Sequence, residues 1–224
     1  MSLLGYSKYK KTEYEWLGDI PEHWEVLKLG FLIRTKSGDY ISNEFISKEN
    51  DNEFPYPVVG GNGILAYTSF YNSTNESIII GRVGAQCGNI HLFNKKCWIT
   101  DNALIVTYSI RILIEYLKYL LIAMNLNEMA NKNAQPLVTG EMIRSKITCL
   151  PPLEEQQSIA QFLDYKTEQI DKLVEKKEKL LKLLEEKRIA LITNAVTGKL
   201  NDTILPLTKG ETNLPAVCIT SAIR

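Results

Sequence analysis

The sequence contains no glycine or proline from Leu153 to Thr197, directly after the pair Pro151-Pro152. The residues of this stretch are mostly Leu, Glu, Lys, Gln and Ala, which have high helix propensity. At ~1.5 Å of rise per residue, one helix over this stretch would be about 65 Å long, far beyond the average helix of a globular protein. Such a helix needs a surface that covers its apolar side chains, and this need limits the folds open to the chain.

Apolar residues recur along this predicted helix with a period of seven. When Leu163 is placed at heptad position a, Leu and Ile recur at a and Leu173 and Leu180 lie at d, which is typical of a left-handed coiled coil. The seam is imperfect, because polar residues stand at one a position and three d positions: Lys177, Lys166, Lys187 and Asn194. The sequence predicts no second helix of matching length, so the pairing helix would come from another chain or another copy. A single amphipathic helix docked on its own domain is the alternative. The predicted helix-pairing residues are Leu163, Ile170, Leu173, Leu180, Leu184 and Leu191.

Charge is balanced over the chain as a whole. The chain carries 26 basic and 26 acidic residues, and residues 1–150 carry 15 of each. The strongly basic footprint of many nucleic-acid-binding proteins is therefore absent overall. A local surplus of positive charge between residues 82 and 111 is compatible with a specific DNA reader. The charged residues of that stretch are Arg82, Lys95, Lys96, Asp101 and Arg111.

The sequence predicts a cytoplasmic protein. Its first residues lack the apolar core of a signal peptide. The most hydrophobic run, Ile110–Met124, contains three charged residues and is not expected to span a membrane. The four cysteines are widely spaced, as expected for reduced thiols rather than a disulfide framework.

The first 150 residues predict an α+β domain. Runs of β-prone residues and a Gly-Gly-Asn-Gly turn alternate with one longer helical pattern. The predicted strands cover residues 77–83, 89–93, 97–108 and 147–150, and the predicted helix covers Ile110–Asn131. The fold class is therefore α+β, a β-rich domain followed by one long coiled-coil helix. We expect residues 1–150 to form the domain, 151–200 the spacer or dimerisation helix, and 201–224 an irregular tail.

Three stretches resemble one known family, the specificity subunits of type I restriction-modification systems. WLGDIPEHWEVLKL (Trp16–Leu29) is similar to the start of that family's target-recognition domain. PVVGGNGILAYTSFYN, IIIGRVGAQCGNI and WITDNALIV are similar to its central β-rich portion, and LPPLEEQQSIAQFLDYKTEQID through AVTGKL is similar to the helix between recognition domains. Family members usually hold two recognition domains and two such helices. This sequence has one of each, so the resemblance implies a half-size form.

The resemblance implies a DNA sequence-specificity subunit of a type I restriction-modification complex. Such a subunit would bind half of a bipartite target and dock the methyltransferase and restriction subunits. Its implied partners are double-stranded DNA, the modification subunit, the restriction or translocase subunit, and a second copy bound through the long helix as a homodimer. No cofactor is expected in this chain, whereas S-adenosylmethionine, ATP and Mg are expected on the partner subunits. The alternative is a truncated scaffold or decoy that binds the modification subunit through its helix without reading DNA.

The residues expected to contact DNA are polar side chains and glycines of the predicted loops. Basic side chains contact phosphates or guanine, Asn and Gln pair with adenine, and glycine lets the backbone approach closely. A tight hairpin would need the same glycines, and each polar side chain has an ordinary solvated surface role as its alternative. Lys36 and Gln135 are expected in polar loops at opposite ends of the domain. The candidates are Lys36, Gly61, Asn62, Gly63, Arg82, Gln86, Lys95, Lys96, Asn102 and Gln135.

Signals for catalysis are missing from the sequence. No glycine-rich phosphate loop ends in Lys-Ser or Lys-Thr, and no Asn-Pro-Pro-aromatic motif of the family's adenine-methylating partner occurs. The spacing of Cys87, His91 and Cys97 matches no common zinc module, so buried thiols and a surface histidine are the expected roles. We therefore predict a non-catalytic subunit and disfavour an independent nuclease or methyltransferase.

Overall fold

The structure is a computed structural model that describes residues 5–74, 76–129 and 136–199. It contains two compact units, one ending at Tyr165 and the other beginning at Lys166. Gln135 and the predicted tail, residues 201–224, lie outside the described residues. The strands of the first unit are β1 (Tyr9–Lys11), β2 (Asp19–Pro21), β3 (Glu25–Lys28), β4 (Ile33–Ser37), β5 (Tyr56–Gly60), β6 (Gly63–Thr68), β7 (Ser77–Gly81), β8 (Ile90–Phe93), β9 (Trp98–Ile99), β10 (Ala103–Tyr108) and β11 (Ile147–Leu150).

The described residues also contain the α-helices α1 (Ile114–Ala123), α2 (Gly140–Arg144) and α3 (Leu153–Val196), besides short 3-10 turns. The predicted fold class, a β-rich α+β domain followed by a long helix, is confirmed. The helix predicted over Ile110–Asn131 is too long, because α1 ends at Ala123 and Asn125 takes the left-handed conformation with φ 46°. Asparagine tolerates that conformation better than most residues.

The central sheet has the strand order β4-β10-β7-β8, and all its neighbouring strands are antiparallel. Side chains alternate between its two faces. Ile78 and Ile80 enter the main core together with Leu117 of α1, whereas Ile79 enters a smaller core with Val59. The smaller core also contains residues of a second sheet, ordered β6-β5-β9. The central sheet is therefore covered on both faces, and functional side chains are expected at its strand ends.

The first turns of α3 belong to the first unit, which we call the compact unit from here on, and polar contacts fix them there. The Glu155 carboxylate accepts hydrogen bonds from Tyr6 Oη at 2.8 Å and Trp24 Nε1 at 2.9 Å, and His23 Nε2 lies 2.6 Å from its other oxygen. Burial opposes the charged form, but these hydrogen bonds outweigh it and lower the pKa of Glu155 from 4.5. Burial and the same carboxylate raise the pKa of Tyr6 to about 12.

Glu155→Gln is expected to lower the free energy of unfolding by about 1–3 kcal/mol at pH 7, because it removes a charged hydrogen-bond acceptor. The folded-state pKa of Glu155 is depressed, so its contribution is present above the unfolded pKa and is lost as the pH falls through the folded value. Denaturant unfolding between pH 3 and pH 7 would measure both effects. Glu154→Gln is the matched control, since Glu154 is exposed on the same turn. An equal loss of unfolding free energy in the two variants would show that the hydrogen bonds of Glu155 do not stabilise the fold.

The described residues of the second unit, 166–199, continue α3 and are almost all exposed. Two ion pairs at i,i+4 spacing, Glu168–Lys172 and Glu175–Lys179, each have an N···O distance of 2.6 Å. Such pairs stabilise an isolated helix by only ~0.2–0.5 kcal/mol each. Packing against another surface would therefore stabilise this segment far more than its own charges do.

Candidate nucleic-acid interface

One edge of the central sheet gathers polar side chains from separate loops. β4 and β7 end at this edge, and β8 and β10 begin there, because Ser37 pairs with Leu104 and Gly81 with Ala103 in antiparallel register. The residues immediately outside the paired strands therefore meet. We call this surface the polar edge, formed by Ser37, Asn62, Arg82, Gln86, Asn89 and Asn102.

The β5–β6 hairpin brings Asn62 to the polar edge. Gly60 pairs with Gly63, and the turn between them contains only Gly61 and the exposed Asn62. A Cβ atom on Gly61 would lie 3.0 Å from Cα of Gly81, and the Gly61 carbonyl lies 3.2 Å from Nε2 of His91. The close backbone approach that Gly61 permits is therefore made within the protein, as the hairpin alternative predicts.

The loop between β7 and β8 is compact and hydrogen-bonded to itself. Gly88 N donates to Gly81 O at 2.7 Å, and Asn89 N donates to Gln86 O at 3.2 Å. A Cβ atom on Gly81 would lie 2.3 Å from the Gln86 carbonyl, so a larger residue would displace the loop. The loop therefore fixes the backbone positions of Arg82 and Gln86. This packing requires glycine at position 81, and the sequence analysis did not include Gly81 among the site residues.

Arg82 is half-buried and has contacts on both sides. Its backbone N–H donates to Asn102 O at 3.0 Å, and its carbonyl accepts from Val138 N at 2.9 Å. Its Nη1 donates to Ser37 Oγ at 3.3 Å, and this hydroxyl donates to Asp101 O at 3.2 Å. Ser37 was not among the predicted site residues, because its role depends on which strands are neighbours in the sheet.

Three amides form a chain that ends at Gln86. Asn127 Nδ2 donates to Asn89 Oδ1 at 3.4 Å, and Asn89 Nδ2 donates to Gln86 Oε1. Gln86 itself is exposed. The polar edge therefore presents side chains of the kind that read base edges by hydrogen bonding. Asn89 is an addition to the predicted set, and its place next to the glycine-rich GRVGAQCG stretch was the available signal.

Lys95 and Lys96 lie away from the polar edge. Both follow the last residue of β8, Phe93, whereas Gln86 and Asn89 precede its first residue, Ile90, so the two groups are separated by the length of β8. Both lysines are exposed, and Lys96 Nζ lies 4.6 Å from the centre of the Tyr71 ring. These lysines therefore lie at the opposite end of β8 and do not join the cluster around Arg82.

The loop position predicted for Lys36 is wrong, because Lys36 lies within β4 and pairs with Ile105. It is exposed on the edge strand of the sheet. Among the predicted charges, Arg111 is engaged elsewhere, with Nη2 2.6 Å from Glu25 Oε2. The local surplus of positive charge read from the sequence is therefore smaller on the surface than along the chain.

The residues predicted to pair the long helix are accessible in this single chain. Leu163 is half-buried in the first unit. The others lie in the second unit, and each exposes half of its surface or more: Ile170, Leu173, Leu180, Leu184 and Leu191.

No group of His, Cys, Asp and Glu side chains suited to a metal ion occurs among the described residues. Cys87 belongs to the main core and Cys97 to the smaller one, so these thiols do not converge. Burial raises the pKa of Cys97 to about 11, which keeps its thiol protonated. Within the described part of the chain, no helix has the length and apolar content needed to cross a membrane.

The fold and the polar edge define a recognition module, a compact α+β domain that displays hydrogen-bonding loop residues and continues into a long helix with an apolar stripe. The chain belongs to the type I restriction modification DNA specificity domain family, whose model matches residues 21–186. This match confirms the resemblance read from the sequence. The family model and the curated relative described next are both named for specificity, in agreement with the prediction of a non-catalytic chain.

A curated relative, the type I restriction enzyme EcoprrI specificity subunit of Escherichia coli, is 36% identical over 137 residues, which are 61% of this chain and 34% of that protein. A chain from a solved structure on complex assembly and conformational transition of the type I R-M system has a TM-score of 0.66 at 20% identity, covering 80% of this chain and 47% of its own. The HsdS subunit from Thermoanaerobacter tengcongensis has a TM-score of 0.54 at 19% identity, with coverages of 73% and 41%. The chain thus spans about a third of the curated relative and less than half of these solved chains.

Proposed function

We propose that this chain is the DNA sequence-specificity subunit of a type I restriction-modification complex and binds half of a bipartite target. The observation that carries the proposal is the family match over residues 21–186, which includes both the polar edge and most of α3. In this layout, residues 1–150 form the target-recognition domain and residues 151–200 the spacer and dimerisation helix. Double-stranded DNA, the modification subunit and the restriction subunit are its proposed partners.

The chemistry of the polar edge supports DNA reading. Asn62, Gln86 and Asn102 are exposed amides, and an arginine stands among them. Amide and guanidinium groups can distinguish base pairs in the major groove, whereas sequence-independent binding relies mainly on phosphate contacts. Lys36, Lys95 and Lys96 lie outside this cluster and are assigned to the phosphates.

The exposed apolar stripe of α3 supports pairing with a second copy of the chain. Two antiparallel α3 helices would place two identical recognition domains on one DNA molecule. A closed two-fold assembly reads a palindromic site, and the spacer between half-sites follows from the separation of the domains. The modification and restriction subunits would dock on this assembly and supply the chemistry together with S-adenosylmethionine, ATP and Mg.

Co-expression of the full chain with its cognate modification subunit, followed by genome-wide mapping of methylated bases, tests this function. The expected result is one bipartite motif with two related halves, absent when the chain is omitted. A DNA fragment that carries this motif should be retarded in a gel at a lower concentration of the complex than random DNA of the same length.

Two outcomes would count against the proposal. A complex that forms but neither retards DNA nor methylates a motif would favour the scaffold or decoy role, to which the balanced charge of residues 1–150 is also suited. A chain that does not bind the modification subunit at all would remove both roles.

A further inference from the structure

We propose that Arg82 is a specificity-determining residue that reads a guanine, while Lys95 and Lys96 contact phosphates. This inference rests on the proposed function, since it assigns a base to one residue of the polar edge. The sequence alone leaves these three basic residues equivalent, as groups that contact either guanine or phosphate. Their surroundings in the structure distinguish them.

The backbone of Arg82 is held on both sides. Its N–H donates to Asn102 O at 3.0 Å, and its carbonyl accepts from Val138 N at 2.9 Å. Val83 also forms a bridge with Leu137 in the next position. These bonds join the β7–β8 loop to two other segments, so the Cα of Arg82 has a defined position at the strand end. A specific base contact needs a fixed backbone position, because the side chain must present its donors to the base in one geometry.

The Arg82 guanidinium is oriented by a hydrogen bond to an uncharged side chain, the hydroxyl of Ser37. Nη1 donates to Ser37 Oγ at 3.3 Å, and the Ser37 hydroxyl hydrogen is committed to Asp101 O. The serine oxygen therefore faces Arg82 as an acceptor. A hydrogen bond of this kind orients the guanidinium without neutralising it, and the remaining N–H donors stay available for a ligand.

Arg82 differs in this respect from two other arginines of the compact unit. Arg111 forms an ion pair with Glu25, and Arg144 forms one with Glu141. Within residues 5–74, 76–129 and 136–199, no carboxylate lies within 4.0 Å of the Arg82 guanidinium nitrogens. An arginine that is positioned, oriented and left without a counter-charge is suited to an external acceptor.

Guanine is the acceptor that fits this arginine. Its O6 and N7 both accept hydrogen bonds in the major groove, and the planar guanidinium matches them with two parallel donors. The neighbours of Arg82 on the polar edge are the amides of Gln86 and Asn102, which also suit base edges. Lys95 and Lys96 are exposed at the other end of β8, where Lys96 lies over the Tyr71 ring. A lysine ammonium lacks the planar fork of arginine and is suited to a non-directional phosphate contact.

The test uses the full chain in complex with its modification subunit and compares the wild type with Arg82→Ala, Arg82→Lys and a Lys95→Ala/Lys96→Ala double variant. Methylated motifs are mapped for each, and binding to the wild-type motif is measured against salt concentration. In Arg82→Ala, one guanine of each half-site should become degenerate, with roughly a 10- to 100-fold loss of preference at that position. Arg82→Lys should recover only part of that preference, because lysine lacks the planar fork.

The lysine double variant should keep the wild-type motif and bind every sequence more weakly. Its slope of log affinity against log salt should fall by about 4, since the two copies of the chain together lose four phosphate contacts. Ser37→Ala, which leaves Arg82 in place, is the second probe in case Arg82→Ala fails to fold. It should weaken the same guanine preference by a smaller factor, with the other positions of the motif unchanged.

A uniform loss of affinity in Arg82→Ala, with an unchanged motif and a lower salt slope, would make Arg82 a phosphate contact and overturn the inference. A preference that changes at the same position in the lysine double variant would also overturn it. A wild-type complex without any motif would instead be a failure of the proposed function, so the two failures are distinguishable.

Discussion

Replacing Leu173 and Leu180 by lysine is expected to convert the proposed homodimer into a monomer. Both side chains lie on the apolar stripe of α3 and are more than half exposed in the single chain, at 54% and 53%. An antiparallel pair would bury both leucines of each copy, which makes four side chains in the dimer. Since about half of each side chain remains to be buried, about 0.8–1.5 kcal/mol would be lost for each of the four leucines, or about 3–6 kcal/mol in total, which corresponds to roughly a 10²- to 10⁴-fold weaker dissociation constant.

Mass measured in solution over a range of protein concentrations would detect the change, and circular dichroism would show that the recognition domain remains folded. The matched control is Ile189→Lys combined with Ile192→Lys. These side chains are also aliphatic and similarly exposed, at 64% and 54%, but lie off the predicted seam, at heptad positions f and b. The control should remain dimeric. An unchanged mass for the leucine variant, or dissociation of the control alone, would show that the seam is assigned to the wrong face.

Gln156→Leu is expected to destabilise the compact unit by about 3–6 kcal/mol. Gln156 is fully buried; its Oε1 accepts from Leu113 N at 2.8 Å, and its Nε2 donates to the carbonyls of Arg111 and Pro151, each at 2.9 Å. Leucine has a similar volume but would leave three backbone groups without this partner. The loss is ~1–3 kcal/mol for a fully buried group such as the Pro151 carbonyl and less for the two that are only partly buried. Since domains are stable by only ~5–15 kcal/mol, much of the population would unfold at moderate temperature.

Denaturant unfolding of the full chain measures this loss. Gln157→Leu is the matched control, because Gln157 is the next residue of the same helix and is exposed, and its effect should stay within about 0.5 kcal/mol. Equal midpoints for the two variants would contradict the role of Gln156. The position has a structural meaning beyond stability, since Leu113 is the N-cap residue of α1 and has no side-chain cap of its own. The side-chain amide of Gln156 thus connects the start of α3 to the start of α1.

The sequence predicts the long helix well, because its signals are local. Helix propensity, the absence of breakers and the preceding proline pair all agree on Leu153–Val196. Runs of isoleucine and valine likewise predict the buried strands β7 and β10. The edge strand β4 was missed, since IRTKS has only one apolar residue, Ile33, followed by polar residues without the apolar–polar alternation of a half-buried strand. Edge strands with polar residues lack the continuous apolar run that marks a central strand.

The polar edge is only partly predictable. Composition of the loops selects Asn62, Arg82, Gln86 and Asn102, but it selects Lys95 and Lys96 equally. Lys95 and Lys96 are excluded because they lie at the other end of β8, and the strand order β4-β10-β7-β8 places the ends of non-consecutive strands together at the polar edge. Ser37 enters the site for the same reason, because its contact with Arg82 joins residues 45 positions apart. Pairing of distant strands is not encoded in any single loop, so a reading of the loops alone does not find it.

The close packing of Gly61 against Gly81 separates the part of the proposed site that folding constrains from the part that can change. The backbone beneath the polar edge has no room for a larger residue, whereas Asn62, Gln86 and Asn102 extend from it into solvent and fill no core volume. Side chains of this kind can be exchanged with little effect on the packing below them. We therefore expect substitutions at Asn62, Gln86 and Asn102 to change the proposed target preference while the packing of Gly61 against Gly81 is preserved.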